Sequence, residues 1–277
     1  MDSDRSYWTG WGGPQSPLLH GVDIDHPKRI EGDDVKLTDR VVAFVDILGF
    51  RSLVENSTME SAVSTVVSLE EALYHIGNRP HHDFEVSKLF SDTIYFSAPV
   101  HWQGVNWVFG KSMVAQALFL ERGFLVRGGV SSGLHYESKK VIFSRSLIKS
   151  YDLEREVARF PRIVVDPDLL AVAAGFERGD RNEPQNASDP NFCAPLPSEL
   201  VLRDSDGVFF LDYMRMLDLM PDLADVHIGM IKQGAKLYAE SPRILSKFKW
   251  MAEYHDREDR YGASASATVL LSTLFAV

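Results

Sequence analysis

Two aspartates in this sequence stand where their carboxylates could share a metal ion. Asp46 directly follows the apolar, β-branched run Val41 to Val45, and Asp92 lies between two short strand-like stretches, at the tip of a predicted hairpin. An order of strand, helix, hairpin, helix and strand would bring both residues to neighbouring strand ends. A carboxylate buried there loses hydration, and a cation offsets that loss. The pattern therefore predicts a cation site.

The ligand chemistry of this site favours a hard divalent ion. Two carboxylates, a backbone carbonyl and triphosphate oxygens form an all-oxygen set suited to Mg²⁺ or Mn²⁺, whereas the scattered histidines have no zinc spacing. Paired ions of this kind catalyse phosphoryl transfer. Taken singly, each residue has a simpler interpretation, in which Asp46 caps a turn and Asp92 is only a hairpin-tip residue.

The elements that position these aspartates follow from apolar spacing and from Gly and Pro breaks. The sequence predicts strands at 41–45, 85–90, 93–98, 124–130, 162–166 and 208–211, a further extended segment at 135–143, helices around 63–76, 105–120, 144–159 and 223–254, and a surface loop at 177–197. The fold class is therefore α+β, with a ferredoxin-like or palm-type core and additional C-terminal helices.

Three regions divide the chain. Residues 1–39 form an irregular N-terminal arm, residues 40–166 a catalytic core, and residues 167–277 an extension packed on the core or on a partner subunit. The apolar tail from Gly262 is too short and too polar to span a bilayer, so no membrane association is expected. The single cysteine, Cys193, cannot form an internal disulfide, and a cytoplasmic location is expected.

The charge balance limits the partners. The 277 residues contain 29 Lys and Arg against 39 Asp and Glu, a net charge of −10, which disfavours a general nucleic-acid binder. A nucleotide site would need local cations, for which the candidates are Arg51, Arg127, Arg145 and Lys149. Arg127 has the best context, although it could instead pair with a carboxylate on the sheet.

Three lysines of the C-terminal helical stretch are not expected to bind phosphate. Lys232, Lys236 and Lys247 are predicted to lie on a solvated helix face, because charge on a long helix is usually solvated.

Three segments, read together, resemble a known family. Phe44 to Phe50 resembles the metal-binding signature of class III nucleotide cyclases, Phe90 to Thr93 resembles the second metal-binding aspartate of that family, and Arg127 to Gly133 resembles its Arg-x-Gly segment. The three occur in the right order and are joined by the right elements. The resemblance covers about residues 40–166 and implies a βααββαβ catalytic core.

The resemblance implies roles for individual residues. Asp46 and Asp92 would bind two Mn²⁺ or Mg²⁺ ions, with the carbonyl of Ile47 as a further ligand, while backbone N–H groups from Leu48 through Gly49 to Phe50 would face the triphosphate.

Substrate contacts are expected from four further side chains. Lys88 matches a base-reading position of the family, although it could be an exposed strand lysine. Phe50 would form a bulky wall of the base pocket, and Arg51 and Arg127 would meet the phosphates, Arg127 as a catalytic residue.

The family pattern is broken on the helix that follows. Aligning Leu153-Glu154 places Ile148 and Asp152 where the family has its transition-state Asn and Arg. A divergent branch fits better: the stretches AFVDILGF, FSDTIYFS, LIKSYDLE and PRIVVD resemble the bacterial pyrimidine cyclases of antiphage signalling, known as Pycsar.

That branch implies a uridylate cyclase that converts UTP into 3′,5′-cyclic UMP and diphosphate. It also implies a homodimer with composite sites and a separate effector protein that responds to the product. The alternatives are a cytidylate cyclase acting on CTP, a cyclase-like sensor that has lost turnover, and a palm-type nucleotidyl transferase or metal nuclease, which the net charge disfavours if long nucleic acid were the substrate.

Overall fold

One mixed sheet organises the protein, whose computed structural model describes residues 35–77, 86–138, 140–179 and 197–257. The strands are β1 (Thr38–Ile47), β2 (Val86–Phe90), β3 (Thr93–Pro99), β4 (Val126–Glu137), β5 (Ile142–Ser144), β6 (Ile163–Val165), β7 (Val201–Arg203) and β8 (Phe209–Leu211). Their order across the sheet is β2-β3-β1-β4-β6-β8-β7, and β5 pairs with the far end of β4.

The helices in the described part of the chain are α1 (Phe50–Glu55), α2 (Met59–Gly77), α3 (Trp102–Glu121), α4 (Arg145–Asp152), α5 (Pro167–Gly179), α6 (Leu223–Leu237) and α7 (Pro242–His255). A π-helical turn, Leu153–Val157, continues α4, and two 3₁₀ turns occupy Pro197–Leu200 and Tyr213–Asp218. None of the described helices is long and apolar enough to cross a membrane.

The predicted core order is confirmed. From β1 to β4 the chain runs β1-α1-α2-β2-β3-α3-β4, which is the expected βααββαβ sequence of elements in an α+β protein. The four strands β2, β3, β1 and β4 are antiparallel neighbours, and β6 then pairs parallel to β4. The predicted hairpin is formed by β2 and β3, so Asp92 lies in its turn.

Three elements after the core differ from the expectation. The helical stretch predicted over 223–254 is two helices, because Pro242 starts α7 and a proline inside a helix removes a backbone donor. Helix α5 was not predicted, and its last residues fall in the predicted loop. The strand predicted at 208–211 is confirmed as β8, whereas β7 was not predicted; together they extend the core sheet beyond β6, so the chain after residue 166 is more than added helices. The remainder of that loop and the C-terminal apolar tail lie outside the described residues.

The side chains of β1 alternate between the two faces of the sheet. The alternating side chains of Val41, Ala43, Val45 and Ile47 are buried in the core that also includes α3. The opposite face carries Phe44, whose ring meets Tyr151 of the α4 segment edge-on with the centroids 5.4 Å apart. Asp46 has the same parity as Phe44 and therefore lies on this second face.

The helix predicted around 63–76 is confirmed as α2, and part of its apolar side is exposed. Val63, Val66 and Val67 are half exposed or more, whereas Ala72 and Ile76, nearer the C-terminus, are buried. Only the last turns of α2 therefore contribute to the core.

A glycine on β4 lets α4 lie directly on the sheet. A Cβ atom at Gly129 would stand 2.3 Å from the carbonyl oxygen of Ser150 and 2.6 Å from Cβ of Leu153. The contact is completed by the Ser150 hydroxyl, which donates to the carbonyl of Val42 at 2.8 Å, and by Ser131, whose hydroxyl donates to the carbonyl of Ser146 at 2.8 Å.

We expect Gly129→Ala to destabilise the protein by about 2–4 kcal/mol, because the added methyl group overlaps backbone atoms that cannot move independently of the helix. Gly229→Ala on α6 is the matched control, since a Cβ there meets nothing within 4 Å and helical Ala is favoured over Gly. Urea denaturation of both variants measures the difference. A Gly129→Ala variant as stable as the control would contradict the packing argument.

Candidate active site

Asp46 and Asp92 meet where β1 ends beside the β2–β3 turn. Asp46 lies opposite Thr93 on β3, and the backbone N–H of Ile47 donates to the carbonyl of Asp92 at 3.0 Å. The side chains of the two aspartates are close enough for a hydrogen bond between them. The structure thus brings together the two residues that the sequence selected for a shared cation site.

Burial and neighbouring negative charge make the Asp46 carboxyl hard to ionise. Its pKa is raised to about 7, first by desolvation, then by the charges of Glu154 and Asp92, and further by the hydrogen bond with Asp92. The positive charge of Arg127 opposes these effects and does not cancel them. A carboxyl pair of this kind is stabilised in its ionised form by a bound cation.

Arg127 stands between two carboxylates. On the neighbouring strand β4 it lies opposite Asp46, and its Nε is 3.9 Å from Oδ2 of Asp46 and 2.5 Å from Oε1 of Glu154. The Arg127 and Glu154 atoms are off-axis for a hydrogen bond, so the contact is an ion pair without hydrogen-bond alignment. Both interpretations of Arg127 left open by the sequence remain: it is at the site, and it pairs with carboxylates.

Glu154 is the member of this cluster that sequence reasoning did not select. It is almost fully buried, and its pKa is raised because desolvation outweighs the attraction of Arg127. It lies in the π-helical turn Leu153–Val157, which packs against β4 at Gly129. The signal available in the sequence was Glu154 itself, an acidic residue in a helix that had to cross the face of the sheet carrying Asp46.

The residues present fit a divalent cation. Asp46 and Asp92 offer carboxylate oxygens, and the proximity of Glu154 adds negative potential to a partly buried place. No group of three or more His, Cys, Asp or Glu side chains is preassembled around one point in the described part of the chain. A cation held here would therefore take its remaining ligands from backbone carbonyl, water or phosphate oxygens; the resemblance implies the carbonyl of Ile47 as one of them.

The turn after β1 has the shape that its glycine allows. Gly49 adopts a left-handed φ of 79° at the start of α1, and its carbonyl accepts the N–H of Leu53 at 3.0 Å. The N–H of Leu48 donates to the carbonyl of Leu125 at 2.8 Å, so this donor is taken by the fold and does not face a ligand. Phe50 packs its ring against the core, and Arg51 is exposed on α1.

Lys88 can be located only by its backbone. It lies on β2 opposite Tyr95, four residues before Asp92, and its side chain falls outside what the structure describes. Its role in base reading stays a prediction.

The other predicted phosphate contacts on the α4 segment are not gathered at the aspartates. Lys149 pairs with Asp166 at 2.6 Å and with Asp168 at 2.8 Å, and these partners raise its pKa. Arg145 and Ile148 are exposed. None of these three described residues of α4 is paired with Asp46 or Asp92.

The comparisons with known proteins give only distant likenesses. No protein-family model matches the chain, and no curated protein matches it. Among solved structures it is similar to the adenylyl cyclase CyaB from Pseudomonas aeruginosa, at 13% identity and a TM-score of 0.42, over 51% of this chain and 83% of that one. It is also similar to the monomeric guanylyl cyclase domain of the RhoGC fusion protein from the fungus Blastocladiella emersonii, at 10% identity and a TM-score of 0.40, over 51% and 88%.

A third similar structure is a class III adenylyl cyclase-like ATP-binding protein from Pseudomonas aeruginosa. It is 15% identical, with a TM-score of 0.41, over 57% of this chain and 39% of that one. Similarities at such low identity and TM-score do not indicate the activity or the substrate of this chain. Those are argued from its own residues.

We expect Asp46→Asn to stabilise the metal-free protein at pH 8. Between about pH 4 and 7 the folded protein holds a proton on Asp46 that the unfolded chain releases, so wild-type stability falls as pH rises through that range. The amide removes the ionisation, and we expect a gain on the order of 1–3 kcal/mol at pH 8 that disappears at pH 4.

Urea denaturation in EDTA at both pH values measures this gain. Asp39→Asn, at an exposed position of the same strand, is the control and should change little. A less stable Asp46→Asn variant at pH 8 would show that the ionised carboxylate is compensated by the fold.

Proposed function

We propose that the protein is a metal-dependent pyrimidine nucleotide cyclase that converts UTP into 3′,5′-cyclic UMP and diphosphate, as a messenger in antiphage defence. The observation that carries the enzymatic part is the convergence of Asp46 and Asp92, on neighbouring elements, into a desolvated carboxyl pair. Such a pair is costly in the folded protein unless a cation binds.

The reaction is an in-line displacement within one nucleotide. The ribose 3′-oxygen forms a bond to the α-phosphorus, the bond from that phosphorus to the bridging oxygen of diphosphate breaks, and the hydroxyl proton is released. Asp46 and Asp92 would hold divalent cations, which would supply neutralisation of the phosphate charge and a lower pKa of the ribose hydroxyl. The partial burial of the two carboxylates would exclude competing water.

The Arg127–Glu154 pair sets the charge around the reacting phosphate. With no ligand, the guanidinium is attracted by Glu154 and Asp46 together. Cations bound to Asp46 would neutralise that carboxylate. The guanidinium of Arg127 could then donate hydrogen bonds to phosphate oxygens. Glu154 would keep the side chain anchored during this change.

Support for a pyrimidine base comes from the sequence resemblance and from Lys88. A lysine only donates hydrogen bonds, and uracil offers two carbonyl acceptors where cytosine has one carbonyl and an amino group. CTP is therefore the alternative substrate. The effector protein and the antiphage role are supported by the resemblance alone.

We also propose that the protein acts as a homodimer with two equivalent composite sites, because the chain contains one cyclase core. An exposed apolar surface on the α1–α2 segment, comprising Val54, Met59, Val63 and Val66, supports association between copies.

A second candidate function is a nucleotide sensor without turnover. The observation that favours it is the α4 segment, where Ile148 and Asp152 are exposed and the nearest basic residue, Lys149, is paired with Asp166 and Asp168. A sensor would bind a nucleotide and release it unchanged, which product analysis distinguishes from cyclisation.

Replacing Asp46 or Asp92 with Ala should abolish cyclic-nucleotide formation, by at least about a thousandfold, because each change removes a metal ligand. Products from UTP, CTP, ATP and GTP with Mn²⁺ are separated by liquid chromatography, and excess EDTA should silence the wild type equally. Asp39→Ala, on the exposed part of β1, should keep wild-type rates. Activity within about tenfold of wild type in both Ala variants would refute the two-carboxylate site, and an inactive wild type that binds nucleotide would favour the sensor.

UTP should be preferred over CTP, and both over purine nucleotides. In the Lys88→Ala variant the preference for UTP over CTP should fall by about 10–100-fold, since a mismatch between an ammonium donor and the cytosine amino group costs about 1–3 kcal/mol. Initial rates at equal nucleotide concentrations measure it, with Lys140→Ala as an exposed control. A wild type that makes mainly cyclic AMP or cyclic GMP would overturn the base assignment, and an unchanged ratio would remove Lys88 from it.

A further inference from the structure

Ser91 has a backbone conformation that serine rarely adopts. Its φ is 57°, in the left-handed region, and no other non-glycine residue in the described part of the chain has a positive φ. The left-handed region is small for a residue with a Cβ atom, and glycine or asparagine enters it at lower cost. The strain at Ser91 therefore has to be held in place by contacts around it.

The strain follows from the length of the hairpin turn. Phe90 of β2 pairs with Thr93 of β3, so only Ser91 and Asp92 connect the two strands. A two-residue connection favours the mirror-image turn types, whose first residue has a positive φ. Ser91 occupies that first position. A negative φ there would splay the strands and displace Asp92.

The second residue of the turn is held by β1. Thr93 lies opposite Asp46, and the carbonyl of Asp92 accepts the N–H of Ile47 at 3.0 Å. Asp92 is thus fixed by β1 on one side and by the backbone of Ser91 on the other. A change in the turn therefore acts on the position of Asp92 relative to Asp46.

A glycine at position 91 would relieve the strain and would also loosen the turn. Without a Cβ atom, glycine enters positive and negative φ about equally, whereas a serine in the left-handed region is confined to a small part of it. Ser91 is exposed, and its hydroxyl has no hydrogen bond within the described residues. No side-chain contact in this part of the chain therefore accounts for the serine.

We propose that Ser91 is a positioning residue, whose left-handed backbone keeps Asp92 aligned with Asp46 for their shared cation. This proposal rests on the proposed function for the presence of the cation. The stability lost at Ser91 is offset by a carboxylate that is already oriented, because a preorganised ligand loses less conformational freedom when the cation binds.

Amide hydrogen exchange, followed by NMR, tests the placement of Asp92 without metal or nucleotide. We expect Ser91→Gly to speed exchange of the Ile47 amide by at least about tenfold, because the acceptor of that amide is the carbonyl of Asp92. The Leu48 amide, which donates to Leu125, is the internal control and should stay within about threefold of wild type. The melting temperature should rise by about 1–3 °C, because glycine relieves the strain.

Three matched variants separate the backbone from the hydroxyl. Ser91→Ala keeps the Cβ atom, and Ser91→Asn keeps it in a residue that tolerates a positive φ, so both should stay within about threefold of wild type in Ile47 exchange. Ser205→Gly makes the same substitution in the turn between β7 and β8, at an exposed position without a positive φ. It should leave the Ile47 amide unchanged.

Cation binding and turnover are measured on the same variants. With Mn²⁺ alone, calorimetry should show that Ser91→Gly binds about 3–10-fold more weakly than wild type. With UTP at saturating Mn²⁺, kcat should fall by about tenfold while KM stays within about threefold, because the contacts to base and phosphate are unchanged.

The outcomes distinguish this proposal from the proposed function. Wild-type Ile47 exchange or wild-type Mn²⁺ affinity in Ser91→Gly would overturn the positioning role, and so would a Ser91→Ala variant as impaired as Ser91→Gly, which would assign the effect to the hydroxyl. If the wild type makes no cyclic nucleotide while Ser91→Gly still speeds exchange and weakens Mn²⁺ binding, the positioning role stands and the cyclase assignment fails. If the wild type binds no Mn²⁺, both fail.

Discussion

The direct contact of the α4 segment with β4 at Gly129 is the constraint on which the site depends. No side chain larger than hydrogen fits there, because the carbonyl of Ser150 and the Leu153 side chain occupy the space. The contact places the following π-helical turn against the sheet, so that the Glu154 side chain lies beside Arg127. Without this approach the face of the sheet that carries Asp46 would be open to water, and its carboxyl would be hydrated.

The electrostatics of the site follow from that burial. Three acidic side chains and one arginine share a partly desolvated region, so the Asp46 carboxyl gains protons at a pH where exposed aspartates are ionised. A protein that had evolved only for stability would replace such a cluster with apolar residues. Under the proposed function, a ligand that brings cations and phosphate to this point would balance these charges, since the carboxylates would bind the cations and Arg127 the phosphate.

The C-terminal region is joined to the core through the sheet and through a buried cation. Arg162 at the start of β6 is fully buried, pairs with Asp204 and Asp206, and has the ring of Trp250 near its guanidinium. Trp250 in turn donates to Asp204 at 2.6 Å. This network fixes α7 against the loop before β6, and Phe248, Trp250 and Tyr254 of α7 are buried in the hydrophobic core.

The sequence by itself determined the elements of the core and the two aspartates. The apolar run of β1 and the Ser91-Asp92 turn between two strand-like runs each act through neighbours in the chain, and the structure confirms the strands and the hairpin. The pattern of α2 was also local, and it predicted a helix correctly. It could not tell that Val63 and Val66 would remain exposed, because exposure depends on what packs there.

Only the tertiary structure decided which charges meet. Glu154 is 108 residues after Asp46 in the chain, and their proximity depends on the crossing of α4 over β4. The same holds for Lys149, a candidate phosphate contact in sequence that the fold pairs with Asp166. The sequence around a charged residue does not indicate its partner, because Coulomb interactions act through space. Which charges come close together is decided by how the helices and strands pack.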